Sequence, residues 1–266
     1  MTHPVSLDPA AAPDDLLPLA AAVGHAKVVA LGASCRTSRE LSLFSQRVLR
    51  VLVSRHDFRS LALEGDDVTS VHLDDYVRTG IGDPRELLAG ARPFWRTEEI
   101  LDTVRWIRAH NEEHPSDPVR IAHPPRPGSG SLERQLADDV IAWQERTGHK
   151  IVYWGGMAHT AVTSSTAGGY LRERYGSDFA SIGLTFHHGN VLFPVPAPPP
   201  DFAEAAFDQL PNAFYLVPPP HSDAHKTRFI GPPPNPEHHL ANGSLREWFD
   251  AVFHVRETTP VHLFTQ

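Results

Sequence analysis

The sequence predicts an α/β fold built around a mainly parallel sheet. Three observations predict it. Short continuous apolar runs end in glycine or in charged residues, amphipathic helical stretches separate them, and the connections are long enough to be crossovers. The run KVVAL at 27–31 stops at Gly32 and suits a buried parallel strand. From Ser38 the pattern turns helical: Leu41, Phe44, Val48, Val51 and Leu52 share one face, and Arg47, Arg50 and Arg55 fall largely off it. FRSLAL at 58–63, closed by Glu64 and Gly65, is the next strand and completes a βαβ unit.

A helical patch covers 71–77, and a second helix begins near Thr97, where Ile100, Leu101, Val104 and Ile107 recur at helical spacing. Thr97 suits an N-cap, which puts Glu98 and Glu99 in a first turn whose dipole favours acids. PVRIA at 118–122 is a third strand. Beyond a Pro/Gly/Ser segment at 124–131, a helix carrying Leu132, Leu136, Val140 and Trp143 leads to the strand KIVYW at 150–154. A helix at 168–175 and a strand at 179–186 follow.

After Asn190 the composition shifts. Thirteen of the 25 prolines lie between Val191 and Leu240, and because proline fixes φ and removes a donor, this stretch is expected to be extended and draped over the surface. A short helix at 244–249 and an edge strand at 251–255 close the chain. The organisation expected is a lead-in at 1–26, an α/β core at 27–190, and a Pro-rich wrap at 191–266 completing the same domain.

The bulk properties exclude several classes. A chain of 266 residues with 41% hydrophobic content can bury a core of one large domain or two small ones. Its net charge is −8 and only Lys27, Lys150 and Lys226 are lysines, so no basic face is offered to nucleic acid. A single cysteine, Cys35, excludes an internal disulfide framework and a Cys-cluster zinc site. No apolar run reaches the roughly 18 residues of a membrane helix, and the N-terminus lacks the basic and apolar regions of a secretory signal. A cytoplasmic protein with no membrane partner is expected.

In open parallel α/β sheets ligands sit beyond the carboxyl ends of the strands. Ser34, Cys35 and Arg36 follow the first strand; Glu64, Asp66 and Asp67 the second; and His123 the third. Gly155, Gly156 and His159 follow the fourth, and His187, His188 and Asn190 the fifth. Adjacent histidines on a strand point to opposite faces, so neither His187-His188 nor His238-His239 is expected to chelate one ion. No metal or cofactor is expected.

Several blocks resemble the erythromycin esterase family, in the family's order, from about residue 28 to about 260. They are the Gly32 loop with Thr37-Ser38-Arg39-Glu40, the 58–64 strand, Asp75-Tyr76-Val77, and Phe94-Trp95-Arg96-Thr97-Glu98-Glu99. The segments 153–159 (YWGGMAH), 170–176 (YLRERYG) and 244–251 (SLREWFDA) continue the series. The resemblance implies a three-layer α/β/α sandwich and metal-free hydrolysis of a macrolactone. The family's machinery is a Gly-Glu-x-x-His loop, a carboxylate after the next strand, and a later Trp-x-His-x-x-His segment.

This chain departs from that pattern. The loop Glu is Ala33, the loop His is Arg36, the first His of the later pair is Gly156, and a basic residue expected on the first long helix is Ser45. The chain is also shorter than family members, with the shortening around 124–131. Glu64, Glu98 or Glu99, and His159 survive. Arginine does not deprotonate near neutral pH, so Arg36 cannot be the base, but it can hold a carboxylate or an oxyanion.

Glu64, His159 and Arg36 are therefore the expected catalytic residues. Cys35, Ser34, Trp95, Glu98, Glu99 and Trp154 are the expected substrate-binding residues. Cys35 lies one residue from Arg36, a setting that can lower a thiol pKa, although small buried cysteines are common. The expected function is an enzyme of specialised natural-product metabolism acting on a hydrophobic, oxygenated, polyketide-like small molecule by dehydration, cyclisation or isomerisation. A retained ester or lactone hydrolase, and a non-catalytic ligand-binding or self-protection protein, are the alternatives.

Overall fold

The computed structural model describes residues 2–65, 67–123, 130–219, 226–231 and 237–264, with Asp67 and Val68 by their backbone alone. Strands β1 (Thr2–Pro4), β2 (Val28–Ala33), β3 (Phe58–Leu63) and β4 (Arg120–Ile121) belong to the first half of the chain, and β5 (Lys150–Gly156) and β6 (Phe179–Asn190) follow. The C-terminal part adds β7 (Pro194–Val195), β8 (Ala213–Leu216), β9 (Lys226–Ile230), β10 (Glu237–Ala241) and β11 (Ala251–Thr258). The helices are α1 (Leu17–Val23), α2 (Arg39–His56), α3 (Asp67–Thr79), α4 (Pro84–Ala89), α5 (Glu98–Glu113), α6 (Leu132–Thr147), α7 (Met157–Thr160), α8 (Ala167–Tyr175) and α9 (Leu245–Trp248).

The main sheet runs β1-β8-β11-β6-β2-β5-β3-β4, with β7 beside β6. From β11 to β4 every neighbouring pair is parallel, whereas β8 and β1 are antiparallel additions. Alternation along β2 divides the interior. Val29 and Leu31 face the core shared with α2 and α5, and Val28 and Ala30 face the core shared with α6 and α8. The result is the expected three-layer sandwich. Its helices start where their sequences say they should: the Ser38, Thr97, Ser131 and Thr166 side chains each accept a backbone N–H from their own first turn.

Four local expectations are corrected. The strand expected at 251–255 is not at an edge; β11 lies between β6 and β8, because its run AVFHV is buried on both faces. The strand expected at 118–122 pairs only through Arg120 and Ile121. The strand expected to end at residue 186 continues to Asn190. The proline-rich stretch is not wholly a surface drape, since Phe214 and Tyr215 of β8 are completely buried in the sheet. The segment 124–129 and the prolines at 220 and 232–234 lie outside the described residues, as does Asp66.

The N-terminus is part of the sandwich as well: β1 pairs with β8, and buried Arg47 of α2 donates to Ser6 O (2.7 Å), Ala12 O (2.8 Å) and both Asp15 carboxylate oxygens (2.8 Å). Finally, β9 and β10 form a separate hairpin whose Ile230 N donates to Ser34 O at 2.6 Å, tying the C-terminal segment to the loop after β2.

Candidate active site

Because β2, β3 and β5 are parallel neighbours, the loops after them open at the same edge of the sheet. β2 ends in the loop carrying Ser34, Cys35 and Arg36, pinned by Ser34 N to Leu184 O (2.8 Å) and Thr37 Oγ1 to Val191 O (3.1 Å). Glu64 continues the ladder one residue beyond β3, its N–H donating to Trp154 O at 3.0 Å. β5 runs through Gly155 and Gly156 into the single turn α7, which carries His159.

The three expected catalytic side chains meet. Arg36 Nη2 donates to Glu64 Oε1 in an ion pair, and Gly156 N donates to Glu64 Oε2 at 2.5 Å. His159 Nε2 stands 3.6 Å from the same Glu64 Oε1. The Glu64 side chain is 6% exposed, Arg36 23% and His159 20%, so the carboxylate is the floor of the site and the guanidinium and imidazole form its wall. Arg36 also lies over the Phe94 ring, 4.4 Å from its centroid.

The two glycines make this packing possible. A Cβ at residue 155 would stand 2.7 Å from Glu64 Oε2, and one at residue 156 would stand 2.6 Å from Arg36 Nη2. Gly156→Ala should therefore displace Arg36 and part it from Glu64, at a cost of about 1–3 kcal/mol in urea unfolding. Adding Arg36→Gln to Gly156→Ala should recover part of that loss, because the two changes share one contact.

A residue outside the sequence expectation completes the group. Glu133, in the first turn of α6, places Oε1 2.6 Å from His159 Nδ1, and its Oε2 accepts Ala167 N (2.9 Å) at the start of α8. The signal that could have found it is topological. A helix preceding a parallel strand runs antiparallel to it, so the N-terminus of α6 must lie at the carboxyl edge of the sheet.

The charges respond to one another. Burial pushes the Glu64 carboxyl up, but the charges of Arg36 and His159, the Arg36 hydrogen bond and the Gly156 amide outweigh it and hold the group below the usual carboxylate range. For His159, burial pulls the imidazole down, while the hydrogen bond to Glu133 and the charges of Glu64 and Glu133 override it and raise the group above its ordinary value. A carboxylate, a guanidinium and a protonatable imidazole at one partly open spot can donate a proton, take one up, and hold a developing oxyanion.

The other expected residues have different settings. Cys35 is buried, its Sγ 3.2 Å from Thr37 Oγ1, and burial pushes its thiol up despite the neighbouring Arg36. Ser34 is buried, with no partner for Oγ among the described residues. Trp95 packs beneath the site: its indole N–H donates to Glu64 O at 3.2 Å and its ring meets buried Trp154 edge-on at 6.2 Å.

Glu98 and Glu99 pair elsewhere. Glu98 makes a two-point ion pair with Arg85 (2.6 and 2.7 Å), and buried Glu99 takes His262 Nδ1 at 2.8 Å with Arg39 3.7 Å away. Residues 259–264 cross the starts of α2 and α5, so these carboxylates border a groove of about 490 Å³ on that side instead, with Arg39, Gln46 and Asp102.

His123 stands 3.6 Å from Asp74. The expectation of diverging rings holds on β10, where His238 stacks on Phe229 and His239 meets Phe202. It fails at the end of β6. There the Nδ1 atoms of His187 and His188 are 3.0 Å apart, just before Gly189, whose φ is 140°. Among the described residues no three metal-ligating side chains are grouped, and no helix is long and apolar enough to cross a membrane.

The erythromycin esterase family model matches residues 53–122 and 126–258. Among solved structures, the fold is similar to that of a Bacillus cereus protein (19% identity, TM-score 0.82, covering 99% of this chain and 97% of that one). A succinoglycan biosynthesis protein is as similar (19%, 0.82, 99% and 96%). A histidine-to-asparagine mutant of the erythromycin esterase EreC in its open conformation matches over the full length of both chains (13% identity, TM-score 0.75). With the family model spanning most of the sequence and the sandwich reproduced throughout, the chain belongs to the erythromycin esterase family.

Proposed function

We propose that this chain is a small-molecule enzyme of natural-product metabolism in which Arg36, Glu64 and His159 perform acid/base chemistry other than the hydrolysis after which the family is named. The reaction classes that fit are dehydration, cyclisation and isomerisation of a hydrophobic, oxygenated, polyketide-like substrate. One observation carries the reading: both Glu64 oxygens are engaged, Oε1 by Arg36 and Oε2 by Gly156 N, so the carboxylate is poorly placed to deprotonate a water. An imidazole between two carboxylates favours its protonated form and suits protonation of a departing or enolic oxygen. Arg36, permanently charged and partly open, suits an oxyanion or a substrate carboxylate.

Hydrolysis of an ester or lactone is the second reading, favoured by the open side of His159, whose ring is 20% exposed above Glu64. The deciding experiment deletes the gene in its host, identifies the accumulating compound by mass spectrometry, and supplies it to the purified protein. Loss of one water, or an isomer of unchanged mass, is expected. Gain of one water, abolished in Glu64→Gln and His159→Ala, would assign hydrolysis. A compound that raises the melting temperature and is recovered unchanged would make the chain a binding protein.

A further inference from the structure

We infer that Glu133 is the positioning residue of His159, fixing which ring nitrogen faces the site and which one carries the retained proton; this rests on the acid/base reading of His159 above. Glu133 opens α6, where an acid is ordinarily satisfied by its own helix terminus. Its carboxylate instead leaves α6 altogether. One oxygen holds His159 Nδ1 on α7 at 2.6 Å and the other accepts Ala167 N of α8 at 2.9 Å, so the side chain is fixed at both ends. The carboxylate and imidazole are each about one-fifth exposed, at the rim of the site and not in its core.

An ionised carboxylate only accepts, so the proton on Nδ1 belongs to the imidazole. Nε2 is thereby assigned to the site side, where it approaches Glu64 Oε1. In the imidazolium form the Nε2–H bond breaks as an O–H bond forms on the substrate oxygen. The ring is left neutral with its remaining proton on Nδ1, against Glu133, and Nε2 is then free to take a proton back from the product side or from solvent. Without Glu133 the neutral ring has no reason to keep Nδ1 protonated, and Nε2–H, the form that cannot accept at the site, becomes available. The upward influence of Glu133 on the His159 imidazole agrees with this assignment.

The test needs no substrate, so it is separable from the proposed function. In ¹⁵N-labelled protein the His159 ring signals are identified by their disappearance in His159→Asn, then followed over pH in the parent, Glu133→Gln and Glu133→Ala. The parent ring is expected to titrate above the ordinary histidine value and, once neutral, to carry its proton on Nδ1. Glu133→Gln should lower the midpoint by about one unit, a tenfold loss of proton affinity. Glu133→Ala should in addition shift the neutral ring toward the Nε2–H form. Should the alanine variant not fold, the isosteric glutamine variant carries the test alone. An unchanged midpoint in folded Glu133→Gln, or a parent ring that is Nε2–H when neutral, would overturn the assignment.

Discussion

Glu64→Gln should reduce turnover of the cognate substrate by about 10²–10⁴-fold, the range typical of removing one acid/base group, and should also destabilise the fold. Glutamine preserves the shape but has one acceptor oxygen where the carboxylate has two. Arg36 Nη2 and Gly156 N approach different oxygens, so whichever way the amide is turned, one donor, the partly buried guanidinium or the buried amide, faces an NH₂ group. A buried donor left unsatisfied costs about 1–3 kcal/mol, so urea unfolding near pH 7 should show a loss of that size. The loss should shrink in acid. Glu64 is held below its unfolded value, so its contribution is complete above the ordinary carboxylate range and disappears as pH falls through the folded value. A variant as stable as the parent at pH 7 would show that the Arg36–Glu64 pair is open in solution.

The meeting of Arg36, Glu64 and His159 was legible because strand ends can be read from a sequence. Each residue follows an apolar run, and three parallel neighbours carry them to one edge. Glu133 was not legible by that rule, since it opens a helix instead of closing a strand, a place where helix-dipole complementarity is by itself a sufficient reason for an acid. The same explanation applied to Glu98 and Glu99. There the intervening C-terminal stretch, invisible to periodicity, supplied His262 as the partner of Glu99.

Position in the chain misled the reading of β11. The edge it was expected to form is occupied by β8 and by the N-terminal β1, and β1 is only three residues long, too short to register as a strand. Arg36 and Gly156, the two positions where the resemblance implies a departure from the family, are physically coupled. The long Arg36 side chain fills the space that any side chain at position 156 would need, and Gly156 leaves that space open while its N–H binds Glu64.

The pH dependence of stability should be dominated by two buried groups that take no part in the site, Glu204 against β9 and His254 on β11. Glu204 is fully buried; one oxygen accepts Thr227 Oγ1 and Arg228 N, and the other has no partner among the described residues. Burial pushes it up to about 7 against the pull of Thr227 and the Arg228 charge. Between its unfolded value of 4.5 and about 7 the unfolded chain ionises while the folded one keeps its proton. Stability therefore falls as pH rises through that window, by about 3 kcal/mol in all at about 1.4 kcal/mol per unit.

His254 works in the opposite sense. Burial holds it down to about 3, with His187, Arg228 and Arg256 adding repulsion, so it stays neutral in the fold and stability is lost as pH falls from 6.5 toward 3. The two slopes oppose each other from 4.5 to 6.5, and the parent curve there should be nearly flat. Glu204→Gln removes one slope and leaves the other. Its unfolding free energy should rise across pH 4.5–7 relative to the parent by about 3 kcal/mol, whatever constant offset the new amide introduces. A difference between variant and parent that is independent of pH would mean that Glu204 is already ionised in the fold, paired with Arg228 as a buried salt bridge.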